Sequence, residues 1–141
     1  MTGAVIEALD EDAANDLAAK RQWVQACVEG DGRTLYEGSP QAKLSIIAAI
    51  LEAGFLRPSS TVELQALGVA LGDAISQETG WPFVLVEDEY GRDPGLHVDG
   101  SMTVFPVTMI SKRVERGESV DRATLDAMFE QVCQADRIAQ D

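Results

Sequence analysis

The stretch 81-WPFVLVEDEYGRDPGLHVDGSMTVF-105 decides the fold class. Trp81 to Glu87 is aromatic and β-branched, which is strand chemistry. Gly91-Arg-Asp-Pro-Gly95 is turn material, Leu96-His-Val98 a short second strand, and Met102-Thr-Val-Phe105 a third. Asp99-Gly100 between the last two is a hairpin signal, because both residues tolerate the positive φ of a tight turn. Pro106 ends the third strand, having no amide for the ladder. Three strands joined this closely predict an antiparallel meander.

Helical patterns flank the meander on both sides. Leu17, Val24, Cys27 and Val28 recur at helical spacing between residues 12 and 29, and Gly30-Asp-Gly32 stops them. Ser39-Pro40 supplies an N-cap and a proline at the first helical position. The following run, Leu44 to Leu51, is apolar nearly all round and predicts a central buried helix. Ser60 and Glu63 have capping-box spacing and open a helix that runs to Thr79, with Leu64, Leu67, Leu71 and Ile75 as its core stripe. Gly68 and Gly72 share one side of that helix. Each costs ~1 kcal/mol of helix propensity relative to Ala, which predicts close approach by another backbone or a bulky ring. The run LGVALGD also suggests a phosphate loop, but such glycines belong at a strand-to-helix turn and these fall mid-helix. Downstream, Val107 to Arg116 reads as a helix with Met109, Ile110 and Val114 inward. Asp121 caps a last helix with the stripe Leu125, Met128, Phe129 and Val132. The expectation is one α+β domain over 13–141, a small three-stranded antiparallel meander packed by about five helices, after a flexible N-terminus over 1–12.

Composition narrows the function. The 141 residues are 45% apolar and 25% charged, enough for one domain with a real core. No apolar run approaches the ~20 residues of a membrane helix. The opening MTGAVIEALDEDAAND has no basic n-region or long apolar h-region, so no signal peptide and a cytoplasmic location are expected. Cys27 and Cys133 lie in amphipathic helical patterns without a CxxC, which predicts buried thiols rather than zinc ligands or a disulfide. The net charge of −13 repels phosphate backbones and anionic membrane surfaces. Solubility explains that charge; steering toward a basic partner also explains it.

The segment from Glu87 to Asp99 gathers five carboxylates and the chain's single histidine. It fails as an EF-hand loop: counted from Asp88, positions three, five and six are Tyr90, Arg92 and Asp93 where ligands and a glycine are required. His97 and Asp99 would share one strand face, too few imidazole or thiolate groups for a transition metal. Glu87 and Glu89 share a face and could form a carboxylate pair, although nothing in the sequence marks a cleft around them. No G-x-S-x-G elbow or Cys–His signature is present. No catalytic residue, cofactor or metal is therefore assigned. Two readings of Glu87, Asp88, Glu89, Tyr90, Arg92, Asp93, His97 and Asp99 stay open: a solvated acidic hairpin, or an interaction surface in which Tyr90 lies beside charge. Lys112, Arg113 and Arg116 also have more than one reading. They complement a helix C-terminus, pair internally with Asp88 or Glu87 across the sheet end, or form an anion-binding patch.

The segments LGVALGDAI, WPFVLVEDEYG and TVFPVTMISKRVERGE, from Leu67 to Glu118, resemble the bacterial family known as domain of unknown function 3806. The most specific part is the strand running into F-P-x-x-M-I-x-K-R-x-E. The resemblance covers about the middle third of the chain; the first two helices match only in kind. It implies a small soluble bacterial α+β protein and brings no activity, cofactor or catalytic residue with it. The function expected from these observations is a non-enzymatic interaction protein, adaptor or immunity-like, whose acidic surface meets a basic protein and neither nucleic acid nor membrane. The alternatives are a small-ligand or sensory domain with a pocket between the sheet and the Gly68/Gly72 helix, or, behind both, an enzyme centred on His97 or the acidic turn.

Overall fold

The computed structural model describes residues 5–89, 91–99 and 102–134. The elements run β1 (Val5–Glu7), α1 (Glu11–Ala26), α2 (Gly32–Tyr36), α3 (Pro40–Glu52), α4 (Thr61–Thr79), β2 (Phe83–Asp88), β3 (Gly91–Asp99), β4 (Met102–Val104), a 3-10 turn at Pro106–Thr108, α5 (Met109–Glu115) and α6 (Arg122–Cys133). The class is α+β as expected, but the sheet has four strands, in the order β1-β2-β3-β4. The added strand comes from the segment expected to be flexible: Val5, Ile6 and Glu7 pair antiparallel with Glu87, Val86 and Leu85. Three residues carry too little periodicity to be read as a strand, and their partner lies far along the chain.

The second hairpin strand is also longer than its apolar residues indicate. Pairing continues from Phe83↔Leu96 through Leu85↔Pro94 to Asp88↔Gly91, so the presumed turn 91–95 is strand. Pro94 is tolerated there because β4 pairs only with Leu96, His97 and Asp99, leaving β3 an open edge at the proline.

The central helix is α4 rather than α3. Residues 66–72 of α4 are all buried, and its stripe Leu64, Leu67, Leu71 and Ile75 is fully enclosed. Helices α1, α3, α5 and α6 and the 3-10 turn pack around it. In α3, by contrast, Ser45 and Ala49 face solvent. Both glycines of α4 are contact points. A Cβ on Gly68 would lie 2.0 Å from the Val107 carbonyl oxygen, and one on Gly72 would lie 2.6 Å from the Phe83 ring and 2.8 Å from Pro106 Cγ. One glycine admits a backbone and the other a ring.

Capping is partly as expected. Ser39 and Asp121 cap α3 and α6 by accepting from the backbone amides of Ala42 and Thr124. The capping box at Ser60 does not form. The Ser60 hydroxyl instead accepts from the amide of Arg57 at 3.0 Å, closing the preceding turn. Cys27, expected to be buried, is exposed, because α1 ends at Ala26. Phe105 is 38% exposed, and the corner into α5 is anchored by the buried Pro106 and Ile110.

Candidate functional site

The acidic segment does not form one patch. Strand β3 is extended, so it carries its two ends apart by about 3.3 Å per residue. Glu87, Asp88, Glu89, Arg92 and Asp93 lie at the β2–β3 turn, whereas His97 and Asp99 lie at the far end of β3, opposite Thr103 and Met102 of β4. A register shift between His97 and Asp99 also breaks the alternation that would have put them on one face. Among the described residues no group of three or more His, Cys, Asp or Glu is placed to hold a metal ion. Tyr90, expected beside these charges, lies outside the described residues.

What joins the turn instead is the start of the chain. The guanidinium of Arg92 donates to Glu7 of β1 and to Asp10, the N-cap of α1, each at 2.9 Å. Asp10 also accepts from the Ala13 amide at 2.8 Å. That backbone hydrogen bond, aided by Arg92, holds the Asp10 carboxyl below the usual carboxylate range. Arg92, itself exposed, is thus a strut between the start of the chain and the β2–β3 turn. It brings the run Asp10-Glu11-Asp12 beside Glu87-Asp88-Glu89, two acidic runs that are remote in sequence. Glu11, Asp12, Glu87, Asp88, Glu89 and Asp93 are all exposed there.

The cations of α5 do not pair with the sheet carboxylates. Arg113 donates to Glu118, just beyond the helix, at 3.3 Å, and Arg116 lies 3.8 Å from the same carboxylate. Lys112 is turned the other way, toward a cleft of about 400 Å³ between the sheet and the helices. That cleft is displaced from the pocket expected at Gly68 and Gly72, where Val107, Phe83 and Pro106 fill the space.

A partly buried polar network went unread in the sequence. Asp73, on α4 directly after Gly72, accepts two hydrogen bonds from Arg21 of α1, at 2.7 and 2.9 Å, and a third from the Tyr36 hydroxyl of α2. Lys43 of α3 donates to Gln77 at 2.6 Å and lies 5.4 Å from the centre of the Tyr36 ring. Burial, and then the negative charge of Asp73, push the Tyr36 hydroxyl pKa far above its ordinary value. Burial pushes the Lys43 ammonium down, against the opposing pull of Asp73 and Glu37. The network ties α1, α2 and α3 to the central helix, and among the described residues no buried side-chain nitrogen or oxygen lacks a partner. The available signal was a charge at a core position: Asp73 and Lys43 each interrupt an apolar run.

Residues 43–125, more than half of the chain, match the family described as Domain of unknown function (DUF3806). The chain belongs to this family. The match includes Lys43, Asp73, the β2–β3 hairpin and Lys112, and it begins after Arg21 and Tyr36. Among solved structures the chain is similar to a protein from Bacteroides thetaiotaomicron, with a TM-score of 0.74 at 14% identity. That similarity covers 92% of this chain and 48% of the other, so the chain spans about half of that protein's length. At this identity the likeness shows the fold alone. No curated protein matches the chain.

Proposed function

We propose that the chain is a binding module whose acidic end receives a basic protein. The observation that supports this is the Arg92 strut, which holds the acidic start of α1 against the acidic β2–β3 turn. Arg92, the cation between the two runs among the described residues, is already paired with Glu7 and Asp10, and the carboxylates of Glu11, Asp12, Glu87 and Glu89 are exposed and make no ion pair among the described residues. Like charges gathered this way repel one another, and a cationic surface relieves that repulsion. Steering of this kind acts mainly on association rate and weakens with salt.

The test compares the chain with a variant carrying Glu11→Gln, Asp12→Asn, Glu87→Gln and Glu89→Gln, each immobilised and exposed to source-cell lysate. The expected result is a basic protein retained at low salt, released at high salt and not retained by the variant. Equal retention by both forms, or no basic protein on either, sinks the reading.

A further inference from the structure

The cleft beside Lys112 has walls of opposite charge. Its sheet wall carries Asp88 and Asp93. Val86 pairs with Asp93, so Asp88, two positions along β2, projects on the same face, and the two carboxylates are diagonal neighbours roughly 7 Å apart. Its helix wall carries Thr108 and Lys112, four residues apart across the start of α5. Between the walls lies an apolar surface made by Val86, Pro94 and the partly exposed ring of Phe105.

Among the described residues, neither Asp93 nor Lys112 makes an ion pair or a side-chain hydrogen bond. Asp93 and Lys112 thus line one cleft without meeting. The remaining cation at the rim, Lys20, is held by Asp16 on its own helix. A volume of about 400 Å³ is within the range of small-molecule sites, roughly 300–1,000 Å³.

We propose that this cleft binds a small zwitterion with an apolar body, namely a dipeptide or α-amino acid with branched or aromatic side chains. Asp88 and Asp93 take the ammonium, Lys112 and Thr108 take the carboxylate, and the side chains lie over Val86, Pro94 and Phe105. A purely cationic ligand would leave Lys112 unpaired and repelled, and a purely anionic one would meet two carboxylates. Only a ligand bearing both charges satisfies both walls. The inference goes beyond the acidic-face reading, since Lys112 and Phe105 play no part in that face.

The test is an amide-shift NMR titration with three probes: leucyl-phenylalanine, its N-acetylated and C-amidated form, and phenylalanine amide. Leucyl-phenylalanine is expected to give saturable shifts at Val86, Asp93 and Lys112. The doubly blocked form should bind about tenfold or more weakly, since it keeps the apolar body and loses both charge-assisted contacts. Lys112→Met should weaken the dipeptide and leave phenylalanine amide binding equally well or more tightly, since a repelling charge is removed, whereas Asp93→Asn should weaken both. Phe105→Ala should weaken all three. The substituted side chains are exposed, and an unchanged melting temperature confirms that each variant is folded. Absence of saturable shifts, equal affinity for the blocked form, or indifference to Lys112→Met would overturn the proposal. None of these outcomes depends on whether a basic protein binds the outer face.

Discussion

Gly68 of α4 and Val107 of the 3-10 turn touch backbone to backbone: a methyl group on Gly68 would stand 2.0 Å from the Val107 carbonyl oxygen. That contact sets how deeply the chain after β4 seats on the central helix. Gly68→Ala should therefore destabilise the fold by about 3 kcal/mol, overriding the ~1 kcal/mol gained in helix propensity. Gly72→Ala should cost less, because the atoms it meets belong to the Phe83 ring and to Pro106 Cγ, and a side-chain ring can shift where a backbone cannot. Thermal unfolding of the two variants checks the order, and equal melting temperatures would show that the turn is free to move.

Asp73 is the hub of the partly buried network, so its replacement should be costlier than that of its neighbours. Asp73→Ala leaves the Arg21 charge and the Tyr36 hydroxyl without their acceptor and should cost on the order of 2–4 kcal/mol. Tyr36→Phe removes one neutral donor and should cost about 1 kcal/mol. Denaturant unfolding of both, with the double variant, measures the coupling. Strict additivity would mean that Tyr36 and Asp73 do not act together.

The raised pKa of Tyr36 makes an alkaline prediction. In the unfolded chain a tyrosine loses its proton near pH ~10, whereas folded Tyr36 keeps it to higher pH. Stability from this group is therefore complete below pH ~10 and falls as pH rises beyond it, because the unfolded state then binds fewer protons. The chain has two tyrosines, Tyr36 and Tyr90, so the measurement uses Tyr90→Phe. Tyrosinate absorbance should appear only together with loss of helical circular dichroism. Ionisation near pH 10 in a still-folded protein would contradict the buried hydrogen bond to Asp73.

Arg92 is expected to hold β1 in place. Arg92→Met should speed hydrogen exchange at the β1–β2 ladder while leaving the β2–β3 ladder protected, and high salt should have a similar, weaker effect on the unaltered chain. Unchanged exchange at Ile6 would mean that the ladder alone anchors the strand.

The sequence made the local features legible and concealed those that depend on distant partners. The core stripe of α4, the caps at Ser39 and Asp121 and the need for close approach at Gly68 and Gly72 all follow from spacing within one element. Strand β1 was not legible, because Val-Ile-Glu becomes a strand only against Val86. The full length of β3 was hidden by Arg92-Asp-Pro-Gly95, whose turn chemistry yields to pairing with β2. The candidate site divided for the same reason. Residues 87–99 are contiguous in sequence, but extended backbone carries Asp99 away from Asp88, while folding brings in Asp10 from the other end of the chain. Ser60 shows the converse: good capping spacing was overruled by a nearer amide, that of Arg57.

The pairing of Ile6 with Val86 also orders the assembly of the sheet in time. Strand β1 is synthesised first, yet its partner follows only after four helices, so the entropy of a long loop must be overcome before that ladder forms. The β2–β3 hairpin closes over a few residues and can form early. Until β1 arrives, the outer edge of β2, with Leu85 and Val86 behind it, is an open template for any extended strand. Glu87, Asp88 and Glu89 follow those apolar residues directly, so the carboxylates proposed to receive a partner also act as gatekeepers that keep another copy of the chain from occupying the edge first.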